Sequence, residues 1–473
     1  MLQRRELDRA FNPRSIAVVG DKKANGYMWL RSASTFRGKV FSVQIDPEEI
    51  PGIESLGMEN YRSLADIPQP VDYVIIAVPR TVAPRIVGDC IKKKVGGAML
   101  FTSGFSETRT EEGKRLEHEI AKMAKEANFN LIGPNCMGVF NPKIGLRQDA
   151  GQYSGEGGPV GFISQSGTHA IIFSLAGEPH GIRVSKSVSY GNGAVLDSVD
   201  YLEYLADDEE TKIIGMYAEG TRDGRRFLQC LKETTRRKPV IIWKGGQSEE
   251  GSRAAASHSG SLASVPILWD TAIKQCGAIK AVNVDEMIDV VKALLYLRPP
   301  LGNRVGLVAD SGGESVAITD AFAAEGLHVP LLSNRSYQEF ASFFNVIGGS
   351  CLNPLDVSWN SLTVDELMKS LNILSRDENI DALVLELCLP FATQLWEYDP
   401  TYFDNLCEAL VDFRSRHTKC FSIVVTAGQL EVEAVRIRQK LIEKGLASFP
   451  TFQRAARALR KMADYYRFQQ DKR

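Results

Sequence analysis

Three short stretches of this chain set polar side chains at the carboxyl ends of predicted strands, which is where an open α/β sheet binds ligands. In the first, Ser164-Gln165-Ser166-Gly167-Thr168 follows the apolar run Val160-Gly161-Phe162-Ile163 and leads into a helix-length segment. Small residues and a glycine leave backbone N–H groups open at the positive end of a helix, and the hydroxyls add donors. The arrangement suits a phosphate, and it equally suits a well-capped helix that binds nothing. In the second, Glu219 follows the predicted strand 212–217. A carboxylate there can hydrogen-bond an imidazole, fixing its tautomer and favouring its charged form, or it can sit idle beside a helix N-terminus. The third is His258, within Arg253-Ala254-Ala255-Ala256-Ser257-His258-Ser259-Gly260-Ser261-Leu262-Ala263. The composition predicts a long loop of small residues after a strand that ends at Lys244. Such a loop gives the imidazole room to move and lets a large ligand approach it.

The other strand-end loops differ. Gly20-Asp21-Lys22-Lys23-Ala24-Asn25-Gly26 has no G-x-G-x-x-G spacing, so the dinucleotide fingerprint is absent. Asp46 ends the second predicted strand, at the position of a ribose-binding acid, which keeps NAD open as a ligand. Lys22 and Lys23 point instead to a ligand with phosphates outside the glycine turn. The loop Ala309-Asp310-Ser311-Gly312-Gly313-Glu314 carries two carboxylates and would repel a phosphate. No two histidines have the i, i+4 spacing of a zinc helix and no C-x-x-C pair occurs, so no metal site is expected.

The elements that must position these residues are those of a parallel α/β protein. The 473 residues suffice for roughly three domains, at about 150 residues each. A net charge of −2 offers no broad basic field for nucleic acid or an anionic membrane. No apolar stretch approaches the ~18 residues of a membrane span, and the charged start MLQRRELDRAF lacks the core of a secretory signal. Eight scattered cysteines read as reduced thiols of a cytoplasmic protein. Apolar runs of five or six residues alternate with helix-length segments in three blocks: 1–150, 151–300 and 301–473. The glycine- and serine-rich stretch 151–159 and Pro299-Pro300-Leu301-Gly302 mark the boundaries. The segment 158–167 matches 303–312 at an offset of 145 residues, so blocks two and three are expected to be copies of one doubly wound domain. The basic tail, about 453–473, has helical spacing and is expected to dock as a surface helix.

In this order the motifs resemble the α-subunit-like part of the NDP-forming acyl-CoA synthetases, in the succinyl-CoA synthetase superfamily, with the ADP-forming acetyl-CoA synthetases most similar. The resemblance covers nearly the whole chain. It runs through Phe11-Asn12-Pro13-Arg14-Ser15-Ile16-Ala17-Val18-Val19-Gly20, Val78-Pro79, Ser103-Gly104-Phe105 and Gly133-Pro134-Asn135-Cys136-Met137-Gly138. It continues in Ser164-Gln165-Ser166-Gly167, Tyr217-Ala218-Glu219-Gly220 and the segment 254–263 around His258. It implies an N-terminal Rossmann-like CoA-binding domain followed by two flavodoxin-like domains. It implies His258 as a phosphorylated nucleophile, Glu219 as its partner, and phosphate held by Ser164, Gln165, Ser166, Gly167 and Thr168. Coenzyme A would meet Gly20, Lys22, Asp46, Val78, Pro79, Ser103, Gly104 and Asn135. ATP or ADP with Mg²⁺ would bind a separate ATP-grasp β-type subunit, making a hetero-oligomer that acts on a small carboxylic acid. Two positions depart from the family pattern: Gly20-Asp21-Lys22 stands for Gly-Ala-Ser, and Asp46-Pro47 for Asn-Pro. Both positions lie near CoA in the family. A second reading is a non-catalytic or regulatory acyltransfer component that keeps the fold and binds CoA or acyl-CoA; a degenerate His258 loop or a missing Glu219 would favour it, and both are present.

Overall fold

The run Ser15-Ile16-Ala17-Val18-Val19 is buried along its whole length and forms the central strand of the first of three sheets. The computed structural model describes residues 4–259, 266–358 and 363–471. They fall into two compact units, residues 1–178 with 182–284, and residues 179–181 with 285–473.

The first unit holds two sheets. In the first, β1 (Ser15–Val19), β2 (Lys39–Val43), β3 (Glu59–Tyr61), β4 (Tyr73–Ile76), β5 (Gly97–Leu100) and β6 (Leu131–Ile132) lie in the order β3-β2-β1-β4-β5-β6. All are parallel. This is the Rossmann order, and it places the topological switch between β1 and β4. Both faces of such a sheet are covered, so its strands are apolar throughout rather than alternating. Ile16 and Val18 enter one core while Ala17 and Val19 enter the other.

The second sheet contains β7 (Gly138–Phe140), β8 (Val160–Ser164), β9 (Val184–Ser189), β10 (Ile213–Ala218), β11 (Val240–Lys244) and β12 (Ile279–Ala281), in the order β12-β11-β10-β8-β9-β7. The five from β8 onward have the flavodoxin order and are parallel, and β7 runs antiparallel to β9 at the edge. The chain thus enters the second sheet at residue 138, ahead of the expected boundary at 151. The stretch 151–159 is tied down: the Tyr153 ring lies edge-on to Phe140, and its hydroxyl accepts the Val184 N–H at 2.7 Å.

The second unit holds β13 (Val305–Ala309), β14 (Leu355–Asp356), β15 (Ala382–Cys388), β16 (Cys420–Thr426) and β17 (Ser448–Phe449), all parallel, in the order β14-β13-β15-β16-β17. This is again the flavodoxin order, as the internal repeat leads one to expect. The helix Val284–Tyr296 precedes the expected boundary at 299–302, yet the division falls at 284–285. Its last turn explains this, since Ala293 and Leu297 share a core with Val305, Leu307 and Phe449. The tail helix Phe452–Gln470 buries Ala455, Leu459 and Met462 against the helix Gly312–Ala324, so the basic tail is docked.

Candidate functional site

The loop after β8 is built by its own side chains. Ser164 Oγ donates to the Ser166 carbonyl at 2.6 Å, and Ser166 Oγ caps the helix Gly167–Gly177 by accepting the His169 N–H at 3.4 Å. Gln165 turns toward β10, where its Oε1 accepts the N–H groups of Glu219 at 2.7 Å and Gly220 at 3.1 Å. The expected phosphate residues therefore divide. Ser164 and Gln165 organise the loop, whereas the helix start at Gly167 and exposed Thr168 face outward. A side chain at Gly167 would put its Cβ 2.6 Å from Met137 Cγ, so only glycine brings the backbone this close.

Glu219 is 4% exposed and accepts the Tyr217 hydroxyl at 3.0 Å. Burial, and then the Glu219 charge, push the Tyr217 phenol well above its ordinary range, so it stays a donor at neutral pH. Tyr217, His169 and Trp243 form an aromatic cluster with ring centroids 4.4–4.7 Å apart. Lys244, at the end of β11, is buried: it donates to the Gly245 carbonyl and lies 5.6 Å from the Trp269 ring. Burial lowers its pKa, against the pull of the Glu219 charge. Lys244 and the aromatic cluster were not expected from sequence. The only signal for Tyr217, Trp243 and Lys244 is their place near the ends of β10 and β11, and His169 lies in the first turn of the helix Gly167–Gly177.

The expected loop around His258 is a helix in its described part, Glu249–Ser259. Alanines 254–256 favour helix over loop, and Glu249 and Glu250 suit the positive N-terminal turn. Ser248 Oγ caps that turn by accepting the Gly251 N–H at 2.9 Å. This helix packs against the turn Ser106–Thr108. The backbone of His258 lies in its last turn, and the imidazole falls outside the described residues, as does the segment 260–265.

The expected CoA residues separate into two groups. Gly20, Lys22, Asp46, Val78 and Pro79 line one cavity of about 640 Å³, at the switch between β1 and β4. Ser103, Gly104 and Asn135 do not line it. They sit by a polar seam between the two sheets of this unit, where Gly104 N–H donates to Glu107 and Asn192 Nδ2 donates to Glu107 at 2.6 Å and Glu117 at 2.9 Å. Asn135 Nδ2 donates to Asn192 Oδ1 at 3.5 Å. Asp21, the first departure from the family pattern, turns inward. It is 3% exposed and accepts the N–H groups of Leu30 at 2.9 Å and Lys22 at 3.1 Å. Burial raises its pKa while these backbone donors lower it. Its carboxylate thus holds the loop and leaves the cavity mouth to Lys22. Arg62, Ser63 and Arg85 also line the cavity and were missed, because Arg62 and Ser63 follow a strand too short to show a periodic pattern. Among the described residues, no group of three or more His, Cys, Asp or Glu is placed to hold a metal ion. No described helix is long and apolar enough to cross a membrane.

The profile of the CoA binding domain matches residues 14–142, and that of the succinyl-CoA ligase like flavodoxin domain matches 157–294. The chain is 38% identical over 391 residues to the alpha subunit of an ADP-forming acetate–CoA ligase II of Pyrococcus furiosus, covering 81% of this chain and 83% of that one. The chain belongs to the NDP-forming acyl-CoA synthetases. An ADP-forming acetate–CoA ligase I of Archaeoglobus fulgidus is 35% identical over 389 residues, 82% of this chain, and the match spans 55% of that longer relative. Among solved family members, an acetyl-coenzyme A synthetase 1 of Ca. Korarchaeum cryptofilum in complex with phosphate and ADP superposes with a TM-score of 0.84 at 30% identity. It covers 98% of this chain and 97% of that one. The family's Rossmann-like and flavodoxin-like sheets are therefore the three sheets seen here.

Proposed function

We propose that this chain is the α-type subunit of an ADP-forming acyl-CoA ligase, catalysing acid + CoA + ATP ⇌ acyl-CoA + ADP + phosphate with an ATP-grasp β-type partner. The observation that carries the reading is buried Glu219, held at its backbone by Gln165 and at its carboxylate by Tyr217, beside the N-terminus of the helix Gly167–Gly177. That pairing of an anion-ready helix end with a fixed carboxylate lies in the domain matched by the succinyl-CoA ligase like profile. The alpha-subunit names of the Pyrococcus relatives support a separate partner chain.

In this account phosphate at the 164–168 loop attacks the thioester carbonyl of acyl-CoA. A C–O bond forms to phosphate, the C–S bond breaks, and CoA leaves as the thiolate. His258 then attacks the phosphorus of the acyl phosphate, forming an N–P bond as the carboxylate departs. Glu219 orients the imidazole and stabilises its charge, and the helix end offsets the charge of the phosphoryl group. The phosphoryl group passes to ADP on the partner, where Mg²⁺ with the nucleotide neutralises phosphate charge. Lys22 meets the phosphates of CoA, and Asp21, turned inward, does not oppose them. The inward turn of Asp21 supports CoA binding despite the departure at this position, and the presence of both His258 and Glu219 favours the enzyme over a non-catalytic component.

The test combines the chain, the partner, Mg²⁺, ATP, CoA and acetate. ADP formation should match thiol loss one for one and should vanish with His258→Ala. Formation of AMP instead, or thiol loss undiminished in that variant, overturns the reading.

A further inference from the structure

We infer that Arg62 and Arg85 read a phosphate on the ribose of the nucleotide that fills the cavity at the β1–β4 switch. The site would then take the 3′-phosphorylated adenosine end of CoA and discriminate against the same molecule lacking that phosphate. This rests on the reading of the cavity as the CoA site. Both arginines line the cavity, Arg62 just after β3 and Arg85 in the first turn of the helix Ala83–Lys93. Both are exposed, and neither has an ion-pair partner among the described residues. Arg80 shows what a structural arginine looks like a few residues away. It donates to the Gly104 carbonyl at 2.7 Å and to Glu112 at 2.5 Å, and it does not line the cavity.

The carboxylates of the cavity are disposed differently. Asp46 occupies the position from which a Rossmann-type domain holds an unmodified ribose hydroxyl. Here its Oδ1 accepts the Glu48 N–H at 3.0 Å within its own turn. Asp89 has Lys92 Nζ at 3.9 Å. Gln44 fixes the same loop, donating to the Asp21 carbonyl at 3.0 Å and accepting the Ile45 N–H at 2.9 Å. The acids are thus turned to local partners while the guanidinium groups are left open. A planar fork of donors without a carboxylate partner suits a phosphate, and an arginine beyond the ribose acid is how a phosphorylated ribose is accommodated. The apolar lining, including Val43, Leu64 and Val82, suits a purine ring.

The test is calorimetric titration of the full chain with CoA, dephospho-CoA and adenosine 3′,5′-bisphosphate. The wild type should bind CoA at least roughly tenfold more tightly than dephospho-CoA, the scale of one charged hydrogen bond. Arg62→Ala and Arg85→Ala should each weaken CoA toward the dephospho-CoA value and leave dephospho-CoA unchanged. Arg62→Lys should restore part of the difference. Equal wild-type affinity for the two ligands overturns the inference, as does an equal loss for both ligands in the alanine variants. Failure of the folded chain to bind CoA at all overturns the reading beneath it.

Discussion

The side-chain oxygen of Gln165 holds the backbone of Glu219, accepting its N–H at 2.7 Å. One amide thereby ties the end of β10 to the loop after β8. The second flavodoxin-like domain repeats the device with a different group. There Asp310 Oδ2 accepts the Cys388 N–H at 2.6 Å, joining the loop after β13 to the end of β15. Ser166 and Ser311 cap the following helices in the same way, accepting the N–H groups of His169 and Glu314. The two copies keep the scaffold and differ in the tying group, an amide in one and a titratable carboxyl in the other. The neutral amide leaves its helix end open to an anion at any pH, whereas the carboxyl, once ionised, repels one.

Gln165→Leu should therefore damage both stability and turnover. It strips the acceptor from the N–H groups of Glu219 and Gly220, and a buried donor left unpaired costs about 1–3 kcal/mol. Thermal unfolding should show the loss, and turnover should fall further than stability explains because Glu219 is no longer held. Unchanged turnover in a folded variant would contradict this role.

Tyr217→Phe removes only the hydroxyl that donates to Glu219 at 3.0 Å. A hydrogen bond to a charged acceptor is worth about 1.5–3 kcal/mol, so kcat should drop roughly tenfold or more. CoA affinity, read by titration, should stay the same because Tyr217 is not among the residues that line the CoA cavity.

Much of this was legible in the chain, for physical reasons. β1, β8 and β10 are buried on both faces, and their unbroken apolar runs are the signature of a covered parallel sheet. Strands of two or three residues, such as β3, β6 and β17, leave no periodic trace. The residues that follow them, Arg62 above all, were hidden for that reason. The orientation of Asp21 was equally hidden, since it is set by the N–H of Leu30, nine residues on. Residues 249–259 look like a loop by their small residues, three serines and Gly251 among them, and the alanines win.

Stability should depend on pH through the second unit. Burial raises the carboxyl of Asp310 to about 7 and that of Glu386 to about 8, from 3.8 and 4.5. The folded state then keeps protons that the unfolded chain has released. Their contribution is full below about pH 4 and is lost as pH rises through 7 and 8. Glu386→Gln keeps an acceptor for Thr426 Oγ1 and removes the titration. The Tm of the variant relative to the wild type should climb between about pH 4.5 and pH 8, the unfolded and folded values of Glu386, and level off above that. A constant difference would show that Glu386 does not titrate there.

Gly20→Ala should weaken CoA binding and lower the Tm together. Gly20 has φ +85°, and an added Cβ would lie 2.6 Å from Val78 Cγ1 and 3.0 Å from the Ala77 carbonyl. The turn cannot relax toward ordinary φ without pushing β1 from β4, and the CoA cavity lies at that seam. An intact titration would show that the turn tolerates a side chain.

The most direct test of the central claim is phosphorylation of His258. The chain is mixed with its ATP-grasp partner, Mg²⁺ and ATP labelled at the γ-phosphate, then separated without acid, because phosphohistidine is acid-labile. The account predicts label on the wild-type chain that survives alkali, is lost in acid, and is released by ADP or by acetate with CoA. His258→Ala should carry none. Label that persists in that variant would contradict the account, as would an unlabelled wild-type chain that binds both CoA and the partner.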